Sequence, residues 1–291
     1  MTEALNAGRR EERLPPWLRR SLDHESSSRT RSILGRHGIT TVCCEARCPN
    51  QSECYARQTA TFMILGDVCT RSCGFCAVRK GLPQRVDPGE PERVANAIRE
   101  LALAYAVVTS VTRDDLPDEG AGHFAQTVRK IREISSCARV EVLTPDFHNR
   151  RELIAQVVGS GPVVYNHNLE TVESLQAKIR PQADYRTSLG VLETVKALDP
   201  GMTVKSGLML GLGETLDEVR RAAADLRRSG CDLLTLGQYL APAEGCIRTA
   251  EYIPPQVFAQ LADEFKALGF REVFAGPYVR SSYHAQSIFS S

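Results

Sequence analysis

TATFMILGDVCTRSCGFC, residues 59–76, runs an apolar segment straight into three closely spaced cysteines. TATFMIL (59–65) reads as a buried strand. The loop behind it carries Cys69, Cys73 and Cys76, with a gap of three residues and then a gap of two. Thiols crowded in this way, in a chain without a secretion signal, read as metal ligands rather than disulfide partners. Structural zinc takes four ligands and closes its site. Three thiolates with no nearby His suit instead a cubic iron–sulfur cluster whose fourth iron stays open to a substrate or cofactor. Arg71 and Lys80 are expected to offset the negative charge of such a cluster.

Beyond the loop, strands and helices alternate. PERVANAIRELALA (91–104) has helical apolar spacing, YAVVTSV (105–111) reads as a strand, HFAQTVRKIREIS (123–135) as a helix and RVEVLTP (139–145) as a strand. RRELIAQVVG (150–159) is a helix and PVVYNHN (162–168) a strand, followed by helical stretches at 170–179 and 187–198. TVKSGLMLGL (203–212) is a strand, LDEVRRAAADLRRSG (216–230) a helix and CDLLTLGQYL (231–240) a strand. PPQVFAQLADEFKALG (254–269) closes as a helix opened by proline. Six alternations imply a parallel sheet with helices outside it, too few for an eight-fold barrel. The expected fold is therefore α/β, a partial (β/α)6 TIM-like barrel open on one side. Residues 1–58 read as an irregular N-terminal extension bearing cysteines, 59–270 as the barrel and 271–291 as a short C-terminal segment. Active residues of parallel sheets collect at the carboxyl ends of the strands. Those ends carry the cysteine loop, TSVTRDD, TPD, NHN and GLGE.

The chain of 291 residues balances 36 Lys and Arg against 35 Asp and Glu, which argues against non-specific nucleic-acid binding. No apolar run reaches the ~18 residues that a membrane span needs. The N-terminus has no apolar signal core, and Glu3, Glu11, Glu12, Asp23 and Glu25 are ill suited to a mitochondrial presequence. A cytoplasmic location is expected, with the mitochondrial matrix as the alternative. Cys137, Cys231 and Cys246 are scattered among apolar neighbours and read as buried small hydrophobes.

A second triad, Cys43, Cys48 and Cys54, lies in CCEARCPNQSEC (43–54). It can hold another cluster. The alternative, one zinc site mixing cysteines of both groups, leaves two thiolates over. The pattern C-x3-C-x-aromatic-C, with Phe75 as the aromatic, resembles the signature of radical S-adenosylmethionine enzymes. The two triads in this order, with TSVTRDDLPDEGA (109–121), TPDF (144–147), NHNLETV (166–172), KSGLMLGLGET (205–215), GQYLAP (237–242) and GPYVRSSYHA (276–285), resemble the lipoyl synthase family over residues 40–285. Two positions depart from the family pattern. Cys44 stands where a Glu is usual, and reads as a neighbour whose side chain points away. Gln58 replaces a Gly.

The resemblance implies a partial barrel and two [4Fe–4S] clusters. The open iron of the first would bind the amino and carboxylate groups of S-adenosylmethionine. One electron would then cleave that molecule to methionine and a 5′-deoxyadenosyl radical able to take hydrogen from unactivated C–H bonds. Lipoyl synthases insert two sulfur atoms at carbons 6 and 8 of an octanoyl chain held on a carrier lysine, and the second cluster is consumed as the sulfur source. On that basis Cys69, Cys73 and Cys76 hold the radical cluster. Cys43, Cys48, Cys54 and a serine of RSSY hold the other. Ser281 and Ser282 point to opposite sides if that stretch is extended, and Ser282 is the expected ligand. Thr109, Ser110 and Val111 are expected at the amino-acid end of S-adenosylmethionine, with Phe75, Asn168 and Glu214 as further cofactor contacts. His167 and His284 read as hydrogen-bonding partners, and Asp114 and Asp115 as a helix-start charge pair.

The implied partners are octanoylated lipoyl carrier domains (dehydrogenase E2 subunits, glycine cleavage H protein), a ferredoxin or flavodoxin electron donor and an iron–sulfur carrier that rebuilds the spent cluster. Neither nucleic acid nor membrane is expected. Arg9, Arg10, Arg13, Arg19 and Arg20 read equally as a docking arm for an acidic carrier domain or as a solvated arm. The nearest rival is a methylthiotransferase-like radical enzyme, whose relatives usually append an RNA-binding domain for which no residues remain here. A non-catalytic iron–sulfur or zinc protein is the rival of another class. Iron and acid-labile sulfide analysis after anaerobic reconstitution separates them: about eight of each per chain is the expected result for two four-iron clusters, and tightly held zinc alone would reject both clusters.

Overall fold

The computed structural model describes residues 14–19, 27–57 and 59–283. Before the sheet come three short helices, α1 (Ser28–Arg36), α2 (Val42–Glu45) and α3 (Gln51–Ala56). α1 buries Ile33 and Leu34, and its Thr30 hydroxyl donates to the Tyr55 carbonyl at 2.7 Å. Residues 28–56 are thus ordered by tertiary packing, where the sequence suggests an irregular extension. Helices of four to nine residues are too short to hold themselves in water or to display a full apolar period.

Strand β1 (Thr61–Ile64) buries all four of its residues, as a parallel strand covered on both faces must. Within the cysteine loop, β2 (Val68–Cys69) and β3 (Arg79–Lys80) pair in parallel. The main sheet continues through β4 (Tyr105–Ser110), β5 (Arg139–Leu143), β6 (Val164–Asn166), β7 (Thr203–Leu210), β8 (Leu233–Gln238) and β9 (Glu272–Gly276). Its order is β1-β4-β5-β6-β7-β8-β9, and every pairing is parallel. Spatial order equals chain order, and β1 and β9 do not pair, so the barrel stays open between them. The helices are α4 (Glu90–Glu100), α5 (Ala121–Ile134), α6 (Arg151–Val158), α7 (Glu173–Ile179), α8 (Tyr185–Leu198), α9 (Leu216–Arg228) and α10 (Pro255–Ala267). Six βα units agree with the sequence reading. The seventh strand, β9, does not appear in it: EVFAG is five residues with no helix after it to mark a further unit.

Each helix follows local chemistry. α9 opens with a capping box, in which the Thr215 hydroxyl accepts from the Glu218 N–H and the Glu218 carboxylate accepts from the Thr215 N–H. It buries the stripe Val219, Ala222, Ala223 and Leu226, ends on Arg227 and Arg228, and is followed by Gly230 at φ +85°. Of the three scattered cysteines only Cys231 is buried; Cys137 is exposed and Cys246 half-buried, because both lie in surface loops. Among the described residues no helix is long and apolar enough to cross a membrane. The arginine-rich stretch apart from Arg19, and also Gln58 and His284, lie outside the described residues.

The barrel interior carries an ion pair. Lys205 on β7 reaches across β6 to Glu141 on β5, at 2.9 and 3.2 Å, and both side chains are at most 1% exposed. Tyr105 donates to the same carboxylate at 2.6 Å and Asn166 at 3.1 Å. Three donors from three neighbouring strands therefore satisfy one buried carboxylate. Removing the cation alone would leave that charge unpaired, whereas removing both partners would not. Lys205→Met is expected to cost about 3 kcal/mol or more in urea unfolding of the apoprotein, and Lys205→Met with Glu141→Leu to recover most of it.

Candidate active site

Cys69 ends β2, and its sulfur accepts the Arg71 N–H at 3.4 Å and the Thr112 N–H at 3.3 Å. Gly74 is pinned on both sides: its N–H donates to Ile179 O and its carbonyl accepts from Ile247 N, each at 2.8 Å. A Cβ here would lie 2.5 Å from the Ile247 side chain, so the loop after β8 packs directly on the cysteine loop. Phe75 joins a small apolar cluster with Ile179, Leu212, Tyr239 and Ile247. These contacts fix Cys69, Cys73 and Cys76 at the rim of a cavity of about 340 Å³ at the carboxyl ends of the strands. All three thiols are free. Burial pushes Cys76 up to about 11 and raises Cys73, so a cation is needed to displace their protons.

The cavity wall holds further residues expected from the sequence. Thr109 donates its hydroxyl to Leu143 O at 2.8 Å, and Asn168 donates to Glu170 at 3.0 Å. Ser110 Oγ and His167 Nε2 are buried in the wall without a hydrogen-bond partner. The other ring nitrogen of His167, Nδ1, donates to Thr144 O at 2.9 Å. Burial, then nearby Arg180, hold the His167 pKa down at about 4, so the imidazole is neutral with Nε2 as acceptor. Buried polar atoms without partners are rare, and these two mark a polar ligand's place.

Three expectations are corrected. Glu214 does not line the cavity: its carboxylate accepts the N–H groups of Gly211 at 2.5 Å and Leu212 at 2.9 Å, closing its own turn. Asp114 and Asp115 do not start a helix: they bind Arg71 and Arg113, and α5 begins at Ala121. Arg71 is therefore paired with carboxylates, and the cation that acts most strongly on Cys73 is buried Arg180. The charged cavity residues Glu170, Arg180 and Arg280 escape the sequence reading. Glu170, at φ +70°, bridges to β7, and its carboxylate lies in the wall between Asn168 and Arg180. Its signal was an acidic residue two positions past Asn168, indistinguishable from a helix-start charge without the fold.

The second triad comes from α2, the following turn and α3. Burial, then Cys48, push the Cys43 thiol up to about 12, and burial raises Cys54 to about 11. Cys44 lies on the other side of α2, where it is exposed and contacts Gln51 at 2.8 Å and Tyr55 at 3.4 Å. Cys43, Cys48 and Cys54 line a smaller cavity with Thr61, Tyr105, Arg280 and Ser282, and Cys43 and Cys48 also line the larger one. The C-terminal segment completes this space. Asn50 donates to Tyr278 O at 2.6 Å, and Tyr283 donates to the Glu53 carboxylate at 3.0 Å. Ser282 accepts from Thr61 at 2.7 Å beside the triad, whereas Ser281 donates to Asn168 at 2.9 Å. The two serines thus have different partners.

Sulfur spacing bears on the metal. Two thiolates on one tetrahedral zinc lie about 3.8 Å apart. Among the described residues neither triad brings its three sulfurs within 4.8 Å of one another; the one group that close is Asp114, Glu119 and His148, which Arg71 and Arg150 already neutralise.

A parallel partial barrel with a C-x3-C-x2-C loop at the end of its first strand defines a class, and residues 63–226 match the family model of the radical SAM superfamily. The fold is similar to the crystal structure of methylornithine synthase, at a TM-score of 0.56 and 14% identity over 72% of this chain and 63% of that one. The chain is 51% identical to the lipoyl synthase of Caldanaerobacter subterraneus subsp. tengcongensis over 94% of its length and 96% of that protein's. It is equally similar, at 51%, to the lipoyl synthase of Geobacter metallireducens, with the same coverage. The chain belongs to the lipoyl synthase family.

Gly237 on β8 makes room for the C-terminal segment, since a Cβ there would meet Val279 O at 2.1 Å. Gly237→Ala is expected to displace the segment at Val279–Ser282 and to lower the iron bound per chain after reconstitution, read by iron analysis.

Proposed function

We propose that this chain converts a protein-bound octanoyl-lysine to lipoyl-lysine by inserting two sulfur atoms, at carbons 6 and 8. Cys69, Cys73 and Cys76 hold the [4Fe–4S] cluster that binds S-adenosylmethionine. Cys43, Cys48, Cys54 and Ser282 hold a second one. When bound, these groups supply a radical that takes hydrogen from unactivated carbon and the sulfur that replaces it. The observation that carries this reading is that Cys43 and Cys48 of the second triad line the same cavity as Cys69, Cys73 and Cys76, with Ser282 beside them.

The chain's own residues have definite tasks. Ser110 Oγ and His167 Nε2 offer hydrogen bonds to the cofactor, with Thr109, Asn168 and Phe75 in the same wall. Met63, Leu143 and Met209 give the acyl tail an apolar path. Arg180 and Arg280 set one positive charge beside each triad, facing Cys73 and Cys48. Ser282 would hold the second cluster as a harder, weaker iron ligand than the thiolates of Cys43, Cys48 and Cys54.

The substrates are lipoyl carrier domains, such as dehydrogenase E2 subunits and glycine cleavage H protein. Electrons come from a ferredoxin or flavodoxin, an iron–sulfur carrier rebuilds the second cluster, and the setting is cytoplasmic. The test is an anaerobic single turnover with octanoylated carrier domain, S-adenosylmethionine and reductant, followed by mass spectrometry. The expected products are 5′-deoxyadenosine and a carrier heavier by two sulfurs and lighter by two hydrogens. Ser282→Ala should still form 5′-deoxyadenosine while sulfur transfer falls at least about tenfold, the cost of one lost positioned ligand. An unchanged carrier beside abundant 5′-deoxyadenosine in the wild type would reject the assignment.

A further inference from the structure

Arg71 lies two positions after Cys69 and two before Cys73, and the chemistry above does not use it. Its side chain is only 4% exposed and is gripped by two carboxylates. Asp114, in the turn after β4, accepts from Nε at 2.9 Å and Nη2 at 2.8 Å. Asp146, in the turn after β5, accepts from Nη1 at 2.5 Å and Nη2 at 2.9 Å. Both contacts are bidentate, the geometry that a planar guanidinium serves and an ammonium cannot.

The same strand ends hold the loop's backbone. Thr70 N–H donates to Thr112 O at 3.1 Å, Thr70 Oγ1 donates to Asp114 at 3.0 Å, and Thr112 N–H donates to the Cys69 sulfur. Asp146 is itself fixed, accepting His148 N–H at 3.1 Å in a turn where Phe147, His148 and Asn149 all have φ between +45° and +51°. Burial alone would raise the Asp146 carboxyl, but Arg71 reverses this and holds it at about 2. One cation thus faces two carboxylates, while neighbouring Arg113 and Asp115 cancel each other.

We propose that Arg71, Asp114 and Asp146 form a clamp that fixes the first cysteine loop to the ends of β4 and β5, and that the clamp's own surplus of one carboxylate lowers the reduction potential of the cluster held there. This rests on the reading of that loop given above. Arg71 acts as a positioning residue. The carboxylates act through space, since a negative charge beside a redox centre opposes the arrival of an electron.

The test uses the full-length reconstituted holoenzyme and follows, against applied potential, the electron paramagnetic resonance signal that responds to S-adenosylmethionine. Asp114→Asn is expected to shift that midpoint upward. Asp114→Asn with Asp146→Asn should shift it about twice as far, the charge change being doubled. Arg71→Lys keeps the charge and should leave the midpoint in place, while iron loss to a chelator becomes several-fold faster. A merely structural role would speed iron loss in every variant without ordering the midpoints by charge. The clamp is overturned if Asp114→Asn matches the wild type, or if Arg71→Lys shifts the midpoint as far as Asp114→Asn. Should Arg71→Lys fail to load a cluster, the comparison of Asp114→Asn with the wild type still decides. A wild-type holoenzyme with no responsive signal sinks the reading of the loop and the clamp with it, whereas a responsive signal with unmoved variants sinks the clamp alone.

Discussion

The unpaired gap between β1 and β9 is the constraint on which the rest of this molecule depends. A seven-stranded parallel sheet that curls but does not close exposes two edges and a polar interior. Unpaired backbone at such edges must find partners or water. The segments around Thr41 and at 277–283 lie there. Thr41 bridges to Phe62 on the β1 edge, and the segment after β9 returns across bare Gly237 to meet α3. The cysteines of the N-terminal segment and the serines of the C-terminal one are brought together because both segments fill the same gap.

Within that closure the electrostatics follow one rule at both triads. Burial holds the protons of Cys43, Cys54, Cys73 and Cys76 tightly. Each triad has an arginine beside it, Arg180 at one and Arg280 at the other. An environment that disfavours free thiolate but tolerates thiolate bound to a cation suits a metal cluster and protects the empty site from adventitious oxidation. The cation nearest in sequence to the first triad, Arg71, has been taken by Asp114 and Asp146. Proximity along the chain was therefore a poor guide to which charge the sulfur feels.

Much of the fold was legible in the sequence because its determinants are local or periodic. Apolar strands such as Thr203–Leu210 and capped amphipathic helices such as Leu216–Arg228 announce themselves through side-chain spacing. The helices at 28–36, 42–45 and 51–56 and the strand at 272–276 did not, since each is too short to carry a period and owes its order to what it packs against. Glu214 shows the complementary limit. A carboxylate in a glycine turn after a strand looks the same whether it faces a ligand or, as here, its own backbone N–H groups.

By itself the sequence determined the class of fold, the two cysteine triads and the family, because apolar periodicity and thiol spacing are properties of the chain read in order. Tertiary structure alone decided that Ser282 stands at the second triad while Ser281 serves Asn168, that Cys44 turns away, and that Glu170 enters the cavity. The reason is distance along the chain. Thr61 and Ser282 are 221 positions apart, and no local rule relates two residues whose neighbourhood exists only once a sheet has curled and its gap has been filled.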